Sequence, residues 1–419
     1  MKMEVKLVIN RGVKNWFVNS FRFRYQKTIG NIINKRDPNL WVFSTWEGTK
    51  YSDNARYLFE FVNSQDKDIN CVWMTINPDI QEYISLQGYK SCLIGSSEAK
   101  KIQRKAGVAI CTHGVDDFGQ FPYIFGAYIV NLSHGAAGIK KTYYGLNKKN
   151  ILHRFISETK ARVFNYWYRD LTIATSEYCG EVFKRESLIN NDTVIIGLPR
   201  NDFLLDRIRN LNSVFNDSII NKFGIDNSTK FITYMPTYRP SVAGQKRLEG
   251  YMVELTRNNT LNQLLKEYNA KLLIKMHYHT DVSKVSVNEN IILLKDADVE
   301  DVQKLLQITS ILITDYSGCS TDYSLKKKPL FLFAPDIEEY QHDNGLYEEF
   351  AGLIEKYGIS SIDKLVDMIK DTLENNKDQV FAYDDINSLF NSKADDIGLY
   401  RKNIYCYLVD KLAIRKQSK

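Results

Sequence analysis

The sequence lacks long apolar runs and contains little proline or glycine. Only 8 of the 419 residues are proline and 22 are glycine, which excludes collagen-like and low-complexity architectures. No stretch approaches the roughly 18 uncharged residues that a membrane-spanning helix needs, and the first residues contain no signal-peptide core. We therefore expect a cytoplasmic protein that does not cross the bilayer.

Cysteine is scarce and scattered along the chain. The six cysteines include no pair at the CxxC spacing, so neither a zinc ribbon nor a thiol redox motif is indicated. In a reducing cytosol, we expect these residues to be buried free thiols.

The composition is that of a globular protein rich in aromatic residues. Hydrophobic residues make up 44% of the chain and charged residues 25%, with 26 Tyr and 21 Phe. Such a chain has ample apolar surface to bury, which excludes a disordered tail or linker. At about 150 residues per domain, the length predicts two or three domains.

Positive charge is concentrated at the amino terminus. Residues 1–36 hold nine Lys or Arg and one acid, a net charge of +8, so the rest of the chain carries −2 of the overall +6. Apolar residues recur there at helical spacing, among them Val13, Trp16 and Phe17. This pattern is typical of a basic amphipathic helix on an anionic membrane surface. The alternative is a helix packed on the first domain with its cations in solvent.

The rest of the chain contains no continuing basic stripe, so we expect no nucleic-acid partner. Nothing in the pattern points to a particular oligomeric state.

After the basic segment, strands and helices alternate, which predicts parallel sheets in an α/β fold. The first series of strands is expected at Leu40–Ser44, Cys71–Ile76, Val108–Thr112, Ile129–Leu132, Leu171–Thr175 and Val194–Ile196. The second series is expected at Phe231–Met235, Leu272–Met276, Ile291–Leu294, Ile311–Thr314 and Leu330–Phe333. We predict doubly wound domains at 37–215 and 225–395 that face a cleft. A C-terminal helix at 396–419 is expected to pack back on the first domain.

In such sheets, ligands bind beyond the carboxyl ends of the strands, and the first polar motif there contains His134. Gly135 lets the backbone approach a ligand closely, and Lys140 adds positive charge for a phosphate. A histidine in this place can act as a general base at neutral pH. The alternative is a histidine that caps a strand-to-helix turn.

Two further motifs end strands with an arginine. Arg200, Asn201 and Asp202 follow the strand at Val194–Ile196, although a turn with a helix cap explains the latter two equally well. Thr237 and Arg239 follow the first strand of the second domain. The planar fork of Arg239 suits phosphate, and an ordinary surface arginine is the alternative.

His277 and His279 end another strand, and the alternation of side chains places both on one face. No carboxylate or third histidine stands at a helpful spacing, so we predict no metal site.

The most informative motif contains Asp315, Ser317, Gly318 and Ser320. A buried strand runs into a Ser/Gly turn and then into a predicted helix, whose unpaired N–H groups and dipole favour a diphosphate. The hydroxyls of Ser317 and Ser320 add donors. Simple capping of the helix by Ser317 is the alternative.

Taken in order, these motifs resemble those of the CDP-glycerol glycerophosphotransferase family, which builds teichoic-acid and related capsule polymers. The resemblance runs from about Trp41 to Tyr340. It rests on HGAAGIKK, GLPRND, YMPTYR, KMHYH and LITDYSGCSTDYSLKKKPLFLFAPDIEEY.

The resemblance implies a glycosyltransferase-B-like pair of Rossmann-like domains and a peripheral enzyme on the inner face of the cell membrane. It implies a CDP-glycerol or other CDP-polyol donor, a lipid-linked or polymer acceptor, and release of CMP. By position, His134 resembles the proposed catalytic histidine and His277 the second essential one. Asp315 and Ser317 match the phosphate-binding turn. The sequence itself requires no cofactor, and a divalent ion such as Mg²⁺ is optional.

The sequence departs from the family pattern in three places. Ala136 and Gly318 replace hydroxyl residues, and the stretch Asn344–Tyr347 lacks the family's arginine. A different polyol or sugar phosphate therefore stays open as the transferred group. Two other functions also stay open: a nucleotide-sugar-dependent glycosyltransferase in surface polysaccharide synthesis, and a non-catalytic membrane scaffold.

Overall fold

The computed structural model describes residues 36–141, 168–187, 191–205, 211, 214–215, 217–276, 285–295, 298–299, 301–375 and 381–417. Of the basic segment, only Arg36 lies in this part of the chain, and His277 and His279 lie outside it. Contacts divide the chain into two compact units. The first unit comprises Met1–His134, Thr142–Arg200 and Leu399–Lys419, and the second unit comprises Gly135–Lys141 and Asn201–Gly398.

The first unit contains a sheet of seven parallel strands in the order β3-β2-β1-β4-β5-β6-β7. The strands are β1 (Asp37–Phe43), β2 (Asn70–Thr75), β3 (Ser91–Leu93), β4 (Ala106–Cys111), β5 (Tyr128–Asn131), β6 (Leu171–Ala174) and β7 (Asp192–Ile195). The helices between them are α1 (Asp53–Gln65), α2 (Pro78–Leu86), α3 (Ser97–Lys105) and α4 (Glu177–Ser187).

Successive side chains of a strand point to opposite sides of the sheet. In this sheet, apolar side chains are packed on both sides. On one side, Val42 packs in a mainly aliphatic cluster with residues of the neighbouring strands. On the other, the rings of Phe43 and Trp73 lie 5.3 Å and 5.5 Å from that of Phe59 on α1. Burial on both faces explains why the strands are continuous apolar runs.

The second unit contains a sheet of six parallel strands in the order β10-β9-β8-β11-β12-β13. The strands are β8 (Lys230–Met235), β9 (Ala270–Lys275), β10 (Ile291–Leu294), β11 (Thr309–Thr314), β12 (Leu330–Phe333) and β13 (Gly358–Ile359). The helices of this unit are α5 (Asp217–Phe223), α6 (Val242–Arg257), α7 (Asn259–Glu267), α8 (Val302–Ile308), α9 (Cys319–Ser324), α10 (Ile337–Asn344), α11 (Glu348–Tyr357), α12 (Ile362–Leu373) and α13 (Tyr383–Phe390).

Two apolar clusters lie on opposite faces of the second sheet. Leu272 and Ile274 of β9 belong to the cluster that contains helices α6, α7 and α12, whereas Leu273 belongs to the other cluster. Both sheets are therefore doubly wound, and the predicted α/β class with parallel sheets is confirmed.

Several helices begin at a side chain that accepts a hydrogen bond from the first turn, as Ser and Asn residues do at helix starts. Ser96 caps α3, Ser241 caps α6, Asn258 caps α7 and Ser361 caps α12.

The last helix, α14 (Tyr400–Gln417), belongs to the first unit and packs against α1. The hydroxyl of Tyr405 donates to Asp66 at 2.8 Å, and the ammonium of Lys411 lies 3.0 Å from Asp192. Gly197 has a φ of +125°, and a Cβ there would lie 2.6 Å from the ring of Tyr400. Only glycine therefore fits beneath this ring.

The limits of the units differ from the predicted domain limits. Residues 135–141 and the described residues of 201–215 were expected in the first domain, but they belong to the second unit. The N–H of Lys141 donates to the carbonyl of Gly345, and Ile139 accepts from Tyr347. The amide of Gly398 donates to Asp202 at 2.8 Å.

Arg36, the last residue of the predicted segment 1–36, makes its hydrogen bonds within the first unit. Its guanidinium donates to the carbonyls of Gln103, Ala106, Tyr123 and Phe125 at 2.6 to 3.4 Å. These bonds fix Arg36 to the first unit.

Within the described ranges, none of the helices combines the length and the apolar character that crossing a lipid bilayer requires.

Candidate active site

The strand order of each sheet reverses at one place, and ligands of open α/β sheets bind beyond the strand ends at such places. In the first unit, the reversal lies between β1 and β4. The segments that follow these strands and β5 carry Trp46, His113 and His134. In the second unit, the reversal lies between β8 and β11, whose following segments carry Arg239 and Ser317.

The backbone around His134 is fixed by side chains of the first unit. Ser133 has a φ of +60°, and its N–H donates to the side chain of Asn131 at 2.7 Å. The amide of Asn54 donates to the Ser133 carbonyl at 2.8 Å. These bonds hold an unfavourable backbone conformation that turns the chain directly before His134.

Arg200 braces the same loop from another segment. Its Nη1 group lies 2.7 Å from Asp53 and donates to the carbonyl of His134 at 2.9 Å. The backbone N–H of Arg200 donates to Asn54 at 3.1 Å. Arg200 therefore fixes the position of His134 by bonding the backbone carbonyl of that residue. The sequence did not predict this role.

His113 is a site residue that sequence reasoning missed. Its ring stacks on that of His134, with ring centres 4.5 Å apart and planes 8° from parallel. The ring of Trp46 lies 4.3 Å from that of His113 and 6.5 Å from that of His134. The signal was present as Thr-His-Gly after β4, which repeats the Ser-His-Gly sequence after β5, the next strand of the sheet.

A buried carboxylate holds the loops of this ring cluster together. Asp117 is fully buried and accepts from the backbone N–H groups of Thr112, His113 and Glu47 at 2.9 to 3.0 Å. Glu47 lies in a turn, Trp46–Gly48, whose three residues all have positive φ. The carboxylate thus stabilises a strained turn that presents the Trp46 ring.

His134 is in its neutral form near pH 7. Desolvation by the surrounding protein, followed by the charge of His113, lowers the pKa of His134 from 6.5 to about 4. The residue keeps an exposed surface, so its ring loses only part of its hydration and stays accessible to a substrate. A neutral, accessible imidazole can accept a proton from a hydroxyl group.

In the second unit, Arg239 is the centre of a buried ion network. Its Nε and Nη2 groups bond both oxygens of Asp336 at 2.7 and 2.9 Å, and Nη2 also bonds Asp315 at 2.9 Å. Nη1 donates to the carbonyl of Thr237 at 2.7 Å. Four of the five N–H donors of the guanidinium are therefore engaged by protein acceptors. This corrects the expectation that Arg239 is a phosphate ligand, because the protein itself supplies the anions.

Aromatic rings complete this network. The guanidinium carbon of Arg239 lies 5.0 Å and 4.7 Å from the ring centres of Tyr316 and Tyr340. Burial works to lower the pKa of Arg239, but Asp315 and Asp336 outweigh it and raise the pKa above its usual value.

Asp315 has a structural role as well. Besides Arg239, it accepts from the backbone N–H groups of Thr237 and Tyr316 at 2.8 and 2.6 Å. It thereby ties the segment after β8 to the segment after β11. The hydroxyl oxygen of Thr237 is buried and has no hydrogen-bond partner in the part of the chain that the structure describes.

The predicted phosphate turn is present, but only part of it faces outward. Ser320 is buried and its hydroxyl donates to the carbonyl of Ser317 at 2.8 Å, so this hydroxyl is engaged within the turn. The N–H groups of Cys319 and Thr321 also bond inside the turn. Ser317 and Gly318 are half-buried, and a Cβ at Gly318 would meet nothing within 4 Å. Open space therefore lies beside Gly318.

Lys140 brings a cation to the same part of the second unit. Desolvation and the charge of Arg239 lower its pKa, while Asp315 opposes the shift. The residue is exposed nonetheless, and its backbone pairs with Leu346. Gly135 belongs to the same short segment. An accessible ammonium group near the Ser317 turn suits an anionic ligand.

The other predicted residues have mixed outcomes. Asn201 is fully buried, and neither atom of its side-chain amide has a partner among the described residues. The carboxylate of Asp202 accepts a hydrogen bond from the backbone N–H of Gly398. Among the described residues, no cluster of three or more His, Cys, Asp or Glu could hold a metal ion.

Comparison with protein families identifies the class. A family model described as CDP-glycerol:poly(glycerophosphate) glycerophosphotransferase matches residues 28–405. The chain belongs to this family. The resemblance inferred from the five motifs is thereby confirmed.

Curated relatives within the family are teichoic acid enzymes. The chain is 26% identical over 411 residues to the teichoic acid poly(glycerol phosphate) polymerase of Staphylococcus epidermidis, covering 92% of this chain and 53% of that one. It is 25% identical over 363 residues to the enzyme of the same name from Bacillus spizizenii, covering 82% and 86%. The chain thus spans about half of the length of the first relative.

Solved structures show the same fold. The wall teichoic acid polymerase TagF, in a variant soaked with CDPG, superposes with a TM-score of 0.67 at 21% identity, covering 97% of this chain and 99% of that one. The UDP-GlcNAc 2-epimerase of Methanocaldococcus jannaschii gives a TM-score of 0.52 at 13% identity, covering 88% and 99%. At these identities, the likeness supports the α/β architecture alone.

Proposed function

We propose that this chain transfers glycerol phosphate, or a similar polyol phosphate, from a CDP-activated donor to a hydroxyl of a membrane-linked teichoic-acid or capsule-like acceptor. Membership of the family supports the reaction class. The observation that carries the proposal is the neutral, accessible imidazole of His134 at the end of β5. It supplies the base that an attacking hydroxyl needs.

In the proposed step, the acceptor oxygen attacks the β-phosphorus of the donor and His134 takes the hydroxyl proton. A bond forms between the acceptor oxygen and the β-phosphorus. The bond from that phosphorus to the bridging oxygen breaks, and the bridging oxygen leaves with CMP. Phosphoryl transfer of this kind depends mainly on alignment and on stabilisation of the phosphate charge.

We assign that stabilisation to Lys140 and to the turn at Ser317 and Gly318. The ammonium of Lys140 supplies a positive charge, and the open space at Gly318 lets a phosphate approach the backbone. His277 stays a predicted participant, because it lies outside the described residues. The proposal requires no metal ion, since the protein cation neutralises part of the phosphate charge, and Mg²⁺ is an optional addition.

The test is the identity of the released nucleotide. Purified protein is incubated with a lipid-linked acceptor and, in separate reactions, with CDP-glycerol, CDP-ribitol or UDP-sugars, and the products are identified by mass spectrometry. We expect CMP, and an acceptor heavier by one polyol phosphate. Release of UDP from a UDP-sugar, or no product from any donor, would contradict the proposal.

We further propose that the enzyme acts on the inner face of the cell membrane and binds it through the basic residues 1–35. Their charge and aromatic content support this, since each Lys or Arg near an anionic surface contributes about 1 kcal/mol. Removal of residues 1–35 is expected to lower binding to phosphatidylserine-containing vesicles at least tenfold, as measured by co-sedimentation. Binding of the full chain to neutral phosphatidylcholine vesicles is the control. Equal binding with and without the segment would disprove its role.

A further inference from the structure

His113 lies beside the proposed base but has no part in the step described above. It follows β4, and His134 follows β5, the adjacent strand of the sheet, where Cys111 pairs with Asn131. The two imidazole planes are 8° from parallel and their centres are 4.5 Å apart. The ring of His113 therefore covers one face of the His134 ring.

We propose that His113 is a positioning residue, whose imidazole holds the His134 ring in the orientation and the neutral form that proton transfer requires. This inference rests on the role proposed for His134. His113 contacts His134 rather than the reacting atoms, so it acts through its neighbour.

The stacked geometry excludes direct proton exchange between the two rings. Ring N–H groups lie in the plane of an imidazole. In a nearly parallel stack, neither ring directs a nitrogen at a nitrogen of the other. His113 must act by packing and by charge.

Packing is effective here because His113 is itself held on several sides. Its Nδ1 lies 2.9 Å from the hydroxyl of Thr112, and its backbone N–H donates to the buried Asp117. The Trp46 ring packs against it at 4.3 Å. Because the His113 ring is fixed in this way, it limits the orientations that the accessible His134 ring can adopt. Orientation matters, because misplacement of a catalytic group by about 1 Å can reduce the rate about 10²-fold.

The electrostatic interaction with His113 also favours the neutral form of His134. Two imidazolium rings in contact repel each other, which disfavours protonation of the second ring. The other charged groups that act on His134 are Asp53 at the start of α1, Arg200 after β7 and Asp117 in the turn after β4. The two carboxylates favour the protonated ring, whereas Arg200 and His113 favour the neutral ring.

The experiment compares His113→Phe with His113→Ala. Phenylalanine keeps a flat ring for the stack and removes the ionisable imidazole nitrogens, whereas alanine removes both the ring and these nitrogens. The pH dependence of kcat/KM is measured from pH 4 to 8 by CMP release, and the titration of His134 is followed by NMR of its ring C–H signals.

We expect His113→Ala to lower kcat about 10²-fold and to move the acid limb of the profile toward pH 6.5. Removal of the His113 imidazole relieves part of the burial and of the electrostatic effect that lower the pKa of His134, so the base becomes protonated at higher pH. His113→Phe is expected to keep kcat within about threefold while the acid limb moves up by a smaller amount. His342→Ala is the matched control, because that histidine is exposed in the second unit, and its profile should equal that of the wild type.

Each outcome has a distinct meaning. Wild-type kcat, acid limb and His134 titration in a folded His113→Ala variant would overturn the positioning role and leave the proposed function intact. Equal losses of kcat in the Phe and Ala variants, without movement of the limb, would reduce His113 to a structural residue. Absence of CMP release by the wild-type protein would instead overturn the proposed function, and with it this inference.

Discussion

Replacement of His134 by glutamine is expected to lower kcat about 10²- to 10⁴-fold, the usual contribution of a positioned general base. Glutamine is polar and of similar size, but its amide does not accept the hydroxyl proton. Because the residue is exposed, the variant should fold normally and keep the wild-type KM for CDP-glycerol. The measurement is CMP release at saturating donor.

The pH profile of the wild type provides a second measurement of the same group. Since desolvation lowers the pKa of His134 to about 4, the base stays unprotonated down to that pH. The acid limb of kcat/KM should therefore fall near pH 4 and not near 6.5, the usual value of histidine. His342→Gln serves as the control. Unchanged turnover in folded His134→Gln would remove His134 from the mechanism.

The replacement of Arg239 by methionine is expected to destabilise the second unit by about 3–5 kcal/mol, the usual result of breaking a buried ion pair. The cause is the pair of carboxylates left behind, because Asp315 and Asp336 are 1% and 2% exposed. Calorimetry of the full chain should show a lower transition temperature for this unit.

Two variants make the interpretation specific. Arg239→Lys keeps the charge but not the bidentate contact with Asp336, so we expect an intermediate loss. Lys356→Met breaks an exposed pair with Asp385 and should have little effect, as surface ion pairs usually do. If Arg239→Met melted like Lys356→Met, the buried network would not stabilise the unit.

Much of the fold follows from the order of apolar runs. All eleven strands predicted from the sequence are present, with limits that differ from the expected ones by three residues at most. The strands β3 and β13 were missed because they have only three and two residues, too few for a pattern. The limits of the units could not be predicted either, since backbone pairing of Lys140 with Leu346 is a long-range contact.

The site was predicted less completely than the fold. His134 stood out because it follows a strand and precedes glycines. His113 did not, although it follows a strand in the same way, because only the pairing of β4 with β5 shows that the two loops are neighbours.

Arg239 and Asp315 show a different limit of sequence reasoning. An arginine and an acid that follow two strands suit a phosphate site and a structural ion pair equally well. The 2.9 Å contact between them identifies the second case, and no spacing along the chain contains that information. Lys140 and Ser317 remain as the predicted ligands whose surroundings leave room for a substrate.

The position of α14 has a consequence for synthesis of the protein. Three residues of α14 contact residues that come much earlier in the sequence. Tyr400 lies over Gly197, Tyr405 bonds Asp66, and Lys411 pairs with Asp192. The ribosome makes residues 201–398, the main part of the second unit, before it reaches these partners. The corresponding flank of the nascent first unit therefore stays uncovered until the ribosome has made Tyr400, Tyr405 and Lys411.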